Sequence, residues 1–223
     1  MQRKNEKMNS QERMTHRIVF GLVASVLAVS MAVVILGVKP ATVRAWATPP
    51  CDFLTGGGWI VHSGAKANFA VAGGCKNGSP TWGHLEYIDH ASGLNVHWTS
   101  ITGYFFIDEG TGTDPQTHQP TGTRGICGTA RTNLYGDVNF AVRAEDLGEP
   151  GVNDQFDIRL TDPATGTPVY DTTTECFPHY LGSSAPCSAG NGGGGDIQLH
   201  KPNPSTSGSF GGSCPAFPAF AGQ

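Results

Sequence analysis

An all-β fold, an antiparallel β-sandwich of about ten strands, is what this sequence predicts, and three observations carry the prediction. Apolar side chains recur at every second position in short runs: Val138, Phe140, Val142 and Ala144 alternate with Asn139, Ala141, Arg143 and Glu145. Period two gives a strand one dry and one wet face, the pattern of antiparallel sheets. No stretch after residue 47 keeps a helical period for three turns, and the 31 Gly and 15 Pro cut the chain into short segments. About 150 ordered residues suffice for one core. Strands that are apolar on one face need two layers, or a closed barrel, to bury it, and two layers is the preferred arrangement.

The strands are predicted, in order, at residues 58–61, 66–72, 83–90, 94–99, 102–107, 125–131, 138–145, 156–160, 167–171 and 196–200. In "SGAKANFAVAGG" Ala67, Phe69 and Val71 form the dry face and Lys66, Asn68 and Ala70 the wet one. "DHASGLN" is a short turn after His90; taken as the three residues Ala91-Ser92-Gly93, it sets His90 opposite Leu94 and Tyr87 opposite His97. "NLYGD" and "DPATGTP" join the next pairs. Two segments fall outside this rhythm. Asp108 to Thr123, without a large apolar residue, is a long exposed loop, and residues 203–223 form a Pro/Gly/Ser-rich tail expected to be disordered. Cys214 within it can tether the tail to the body or link two chains. "GNGGGGD" (Gly190–Asp196) lacks the Lys-Ser/Thr and the helix of a phosphate loop and is expected to be a flexible entry to the last strand.

Residues 1–47 differ from the rest. A basic start (Arg3, Lys4, Lys7, Arg13, Arg17) precedes 21 uncharged residues, Ile18–Val38, and Ala45-Trp46-Ala47 follows as a small-x-small cleavage site. That order reads as a secretory signal peptide removed after Ala47, with an uncleaved membrane anchor over residues 18–38 as the alternative. Either way residues 48–202, one β domain, are exported to the cell surface or the medium. The segment holds 7 of the 14 Lys+Arg and 2 of the 18 Asp+Glu, so the remainder carries 7 basic and 16 acidic residues, a net of −9. Such a surface repels phosphate backbones and argues against nucleic acid as a partner. All six cysteines (Cys51, Cys75, Cys127, Cys176, Cys187, Cys214) lie in the exported part, where an oxidising compartment turns an even count into disulfides. The pairing is open, with Cys176–Cys187 preferred because only "FPHYLGSSAP" separates them.

Three constellations can carry chemistry. In "AEDLGEPGVNDQFDIRL" a type II turn centred on Pro150-Gly151 would bring Asp146, Glu149 and Asp154 together. Three carboxylates suit Ca²⁺, which takes six to eight oxygens, while the competing reading has them hydrogen-bonding the turn backbone. His84, His90 and His97 lie on one hairpin, but the predicted register puts His97 on the opposite face, which weakens a zinc site even if His62, His179 or His200 were to join. Trp59, Trp82, Trp98, Tyr87 and Tyr104 sit on or beside strands, where core packing competes with an exposed row that stacks on sugar rings. Glu86 and Asp89 face opposite sides of one strand, and no G-x-S-x-G or H-E-x-x-H motif occurs, so catalysis has little support.

Five phrases in order, "TGGGWI" (Thr55–Ile60), "AKANFAV" (Ala65–Val71), "GHLEYIDH" (Gly83–His90), "AEDLGEPGVNDQFDIRL" (Ala144–Leu160) and "GGDIQLHKP" (Gly194–Pro202), resemble the post-choice-of-anchor-P domain of exported bacterial proteins. The resemblance spans nearly all of the predicted domain. It implies an all-β module of surface or secreted proteins and brings no activity or binding residue with it; the six cysteines depart from the pattern. The expectation is a secreted or cell-surface, non-catalytic module with a structural or adhesion-like binding role, stabilised by Ca²⁺ if the carboxylates converge. A carbohydrate-binding module, or a small hydrolase using the 84–107 hairpins with His84, Glu86 and His90, is the alternative.

Overall fold

The computed structural model describes residues 50–214. The proposed signal segment with its cleavage site, and residues 215–223, lie outside the described residues. Among the described residues the fold is antiparallel β, with one 3₁₀ turn at Thr172–Thr174. Its strands are β1 (Phe53–His62), β2 (Ala65–Lys76), β3 (Ser79–Asp89), β4 (Leu94–Asp108), β5 (Gly122–Thr132), β6 (Gly136–Asp146), β7 (Gln155–Thr161), β8 (Pro168–Asp171), β9 (Gly195–His200) and the two-residue β10 (Gly211–Gly212).

Each of β1 to β8 pairs with its neighbour in sequence, and β9 returns to pair with β1, so the order is β8-β7-β6-β5-β4-β3-β2-β1-β9. The two layers are halves of this one sheet rolled over. Phe69 on β2 stacks on Phe156 on β7 with ring centres 3.9 Å apart, and Tyr87 on β3 shares a 2.7 Å hydroxyl hydrogen bond with Tyr170 on β8. Leu54, Leu85, Leu94, Ile126, Phe140, Val142, Ile158, Leu160 and Leu199 fill the space between, all buried. Full burial of each such side chain contributes about 1.5–3 kcal/mol.

Two runs predicted as separate strands, 94–99 and 102–107, are the single strand β4. Its core-facing residues Trp98, Ile101 and Tyr104 are three apart, which simple alternation cannot deliver. Register shifts at Trp98/Ser100 and Ile101/Gly103 absorb the extra residues and turn the next side chain inward again. The predicted turn centred on Pro150-Gly151 closes one residue earlier. The Gly151 amide donates to the Gly148 carbonyl at 3.1 Å, placing Glu149-Pro150, joined by a cis peptide bond, at its centre.

β8 covers β7 only over Arg159–Thr161 and β9 covers β1 only over Phe53–Gly58, which leaves the first half of β7 and the last residues of β1 without a strand on that side. Residues 179–182 fill that gap: the Phe156 amide donates to the His179 carbonyl and the Leu181 amide to the Asp154 carbonyl, while the Gly182 amide donates to the Trp59 carbonyl. The glycine-rich entry to β9 is packed against this bridge. A Cβ on Gly194 would lie 1.9 Å from the Gly182 nitrogen, so only glycine allows the approach.

Disulfides join Cys51 to Cys75, Cys127 to Cys214, and Cys176 to Cys187, the local pair. The tail was expected to be disordered from residue 203, but it is seated on the body as far as Cys214. Gly211 and Gly212 pair with Tyr104 and Gly103 on β4, Phe210 stacks on Tyr104 at 5.4 Å, and the Ser205 carbonyl accepts from the Asn77 amide. An aromatic anchor and a cross-link outweigh the entropy that its Pro/Gly/Ser composition favours. The 108–123 loop is also ordered. The Asp114 carboxylate accepts the Gln116 and Thr117 amides, Thr113 bridges Pro120, and Gln119 accepts the Lys201 amide.

Candidate functional site

Three places in the fold gather chemistry-bearing side chains. The first is the outer face of β1 to β5. The turn between β3 and β4 holds four residues, His90 to Gly93, instead of three, so Asp89 opposes Leu94 and Glu86 opposes His97. That single-residue difference moves His97 to the outer face, beside Glu86 at 2.5 Å, where the sequence had placed it on the other side. His84 is exposed on the same face, and His90 sits in the turn with Nε2 2.8 Å from Asn68 Oδ1. Among the described residues, His84, His90 and His97 do not form a group of converging metal ligands, nor do His84, Glu86 and His90.

The outer face carries instead two shallow depressions of about 430 and 380 Å³ that share Glu86 and Ile88. One extends to Trp59, Asn68 and the glycines 193–195; the other runs to Asn95, His97, Arg131 and Asn133. Register explains the alignment, since Trp59 opposes Asn68, Asn68 opposes Ile88 and Ile88 opposes Asn95. A second row runs Glu86, His97, Arg131, Asp137. The result is an open trough with an indole at one end, covered on one side by the Lys66 ammonium 3.8 Å from the ring centre, and planar polar groups along its floor. Of the other aromatic candidates, Tyr87 and Tyr104 are wholly buried, Trp98 packs on the core, and Trp82 meets Phe53 edge-on. Ile88 is exposed at 41% of its surface, an apolar side chain left on a polar face.

The second place is the β6–β7 hairpin. Asp146 and Asp154 are buried and every carboxylate oxygen accepts a backbone amide: Asp146 takes Gly148 and Leu199 at 2.8 and 2.7 Å, Asp154 takes Leu147 and Ile197 at 2.9 and 2.8 Å. Leu199 and Ile197 belong to β9, whose far edge has no neighbouring strand among the described residues, so two side chains stand in for one. Glu149 lies outside this arrangement and accepts from Gln198 at 3.3 Å. Among the described residues, Asp146, Glu149 and Asp154 do not form a group of ligand atoms converging on one point. The carboxylates proposed for Ca²⁺ therefore have another occupation, which is to close the sheet. Burial pushes the Asp146 carboxyl up to about 6 and that of Asp154 to about 7, the nearby Asp196 charge adding to both while the amide donors pull back.

The third place is the bridge across the sheet edges. His179 and Asp157 are both fully buried, with Nδ1 2.8 Å from Asp157 Oδ1, and the second Asp157 oxygen lies 3.9 Å from an Arg143 guanidinium nitrogen. Burial raises the Asp157 carboxyl, while its hydrogen bond and charge contact with His179 and the Arg143 charge hold it down. His62, at the end of β1, meets the His179 ring at 72° with centres 5.9 Å apart and brings Nδ1 to 3.0 Å from Glu175 Oε2. Sequence reasoning named His62 and His179 but not Glu175 or Asp157, because only the closing bridge brings residues 175–179 beside strands from both layers.

Comparison with known protein families, with curated proteins and with solved structures finds no match to this chain.

Proposed function

We propose that this chain is an exported, non-catalytic β module that binds glycans along the outer-face trough of β1 to β5. The observation that carries the reading is the trough itself, shallow and open, with Trp59 at one end and Asn68, Glu86, Asn95, His97, Arg131 and Asn133 along it. A sugar ring offers an apolar C–H face that packs on an aromatic ring, and a rim of hydroxyls that match amide, carboxylate and guanidinium groups. Rigid strands hold these groups, which lowers the entropy lost on binding. Three disulfides fit an oxidising compartment, in keeping with export through the N-terminal segment and with the resemblance to post-choice-of-anchor-P domains. Export predicts that the secreted protein begins at Thr48, which N-terminal sequencing of material from the medium checks.

The binding test is a glycan-array screen followed by titration of the strongest hit against tryptophan fluorescence. Trp59→Ala should weaken that hit by at least about tenfold, some 1.4 kcal/mol, with an unchanged circular-dichroism spectrum. Equal binding by the variant, or no glycan retained at all, defeats the reading.

A further inference from the structure

We propose that His62, Glu175 and His179 form a binding site for a divalent transition metal ion of the zinc class, with Asp157 as the group that orients His179. One ligand atom from each of the three residues lies within 4.8 Å of the other two. A tetrahedral ion bonded at about 2.0–2.1 Å holds its ligand atoms roughly 3.3 Å apart, so a modest closure completes the contact. Two imidazoles and one carboxylate are a donor set that zinc accepts, and they leave a fourth position. Glu175, whose side chain is about one-third exposed, gives the ion a route in.

The protonation pattern favours a ligand. The Asp157 carboxylate accepts from Nδ1 of His179, which places the proton of the neutral ring there and leaves Nε2 as a bare lone pair. The contact at 3.8 Å to Nε2 is Cys176 Sγ, a disulfide sulfur with no hydrogen to give. A carboxylate behind a histidine is the outer-shell arrangement that fixes the tautomer and raises the basicity of a metal ligand. His62 supplies an independent sign. It is 7% exposed, and its Nδ1 has no hydrogen-bond partner although Glu175 Oε2 is 3.0 Å away. A buried nitrogen in that state costs stability unless something accepts its lone pair or proton.

The site would do mechanical work in this fold. Its ligands come from the end of β1 and from the 172–187 segment that bridges β1 and β7, so an ion there pins the bridge to the strand. The Cys176–Cys187 disulfide and the Glu175 contact with the Ser63 amide, 2.9 Å, hold the same segment from two further sides.

The test uses the purified chain under non-reducing conditions. After equilibration with Zn²⁺ and desalting, elemental analysis should find one zinc per chain. At Zn²⁺ about 100-fold above the dissociation constant, the melting midpoint should rise by roughly 5–10 °C. Glu175→Gln, at a partly exposed position where the fold tolerates it, should bind Zn²⁺ at least about tenfold more weakly and melt within a few degrees of the parent without metal. His62→Gln should also lose the ion. Co²⁺ in place of Zn²⁺ should give the visible absorption of a four-coordinate site in the parent and lose it in Glu175→Gln. Failure to retain zinc overturns the proposal. So does zinc that survives Glu175→Gln, or zinc that appears only after reduction, since the ligands would then be the cysteines.

Discussion

Arg124→Ala should destabilise the fold by about 3–5 kcal/mol, the cost of removing one member of a buried ion pair. The Arg124 and Asp52 side chains are each 3% exposed, and the guanidinium grips both carboxylate oxygens, Nε to Oδ1 at 3.2 Å and Nη2 to Oδ2 at 2.6 Å. The variant leaves Asp52 charged in the interior with the Tyr104 hydroxyl, 2.7 Å away, as its remaining side-chain donor. The carbonyls of Asp108 and Thr123 lose their donor as well, and the faces of Phe106 and Phe210 lose a cation 4.7 and 5.6 Å from their centres. Phe210 belongs to the C-terminal segment, so the damage should reach the seating of that segment on β4. Chemical denaturation of the two proteins measures the difference. Asp52→Asn combined with Arg124→Met should cost less than Arg124→Ala alone, because no lone charge is left behind and asparagine still accepts from Tyr104. A single-variant cost below about 1 kcal/mol would mean that water reaches the pair.

What the sequence made legible and what it hid divide along one physical line. Alternation located most strands, because the period-two pattern is local and each strand buries one face. The outer-face trough was not legible, because it consists of wet-face residues from five strands, and their alignment depends on register. Register in turn depended on whether the turn held the three residues Ala91 to Gly93 or also His90, and the fourth residue brought His97 over to Glu86. The split of β4 had a similar origin: Trp98, Ile101 and Tyr104 break the alternation, and only their partners on β5 reveal that bulges repair it. The cluster of His62, Glu175 and His179 was hidden by distance along the chain. His62 and Glu175 are brought together by a bridge of irregular backbone that no periodicity announces. The carboxylates of "AEDLGEPGVNDQFDIRL" show the opposite case, a cluster visible at once whose role could not be assigned until β9 was seen to need acceptors.

That role leads to an unusual pH dependence: between pH 5 and 8 the fold should lose stability, by about 2–4 kcal/mol after allowance for screening by water at the hairpin. In the unfolded chain Asp146 and Asp154 titrate near 3.8, whereas burial holds them at about 6 and about 7 in the fold. The folded protein therefore keeps protons that the unfolded chain has released. Their stabilising effect is complete below pH 3.8 and disappears as pH rises through the two folded values, each group contributing a slope of up to about 1.4 kcal/mol per pH unit. Denaturant midpoints across that range measure it. Asp154→Asn cannot ionise and should flatten the curve, leaving the shallower slope of Asp146. Asp154→Ala should cost about 2–4 kcal/mol at pH 5, since the amides of Leu147 and Ile197 lose their acceptor. Calcium added to the metal-free parent should leave its melting unchanged at pH 7.5, because the four carboxylate oxygens of Asp146 and Asp154 are engaged with backbone donors. Stability that climbs from pH 5 to 8 would show that the four amide bonds hold both groups ionised, and that charge, not the proton, closes the edge of β9.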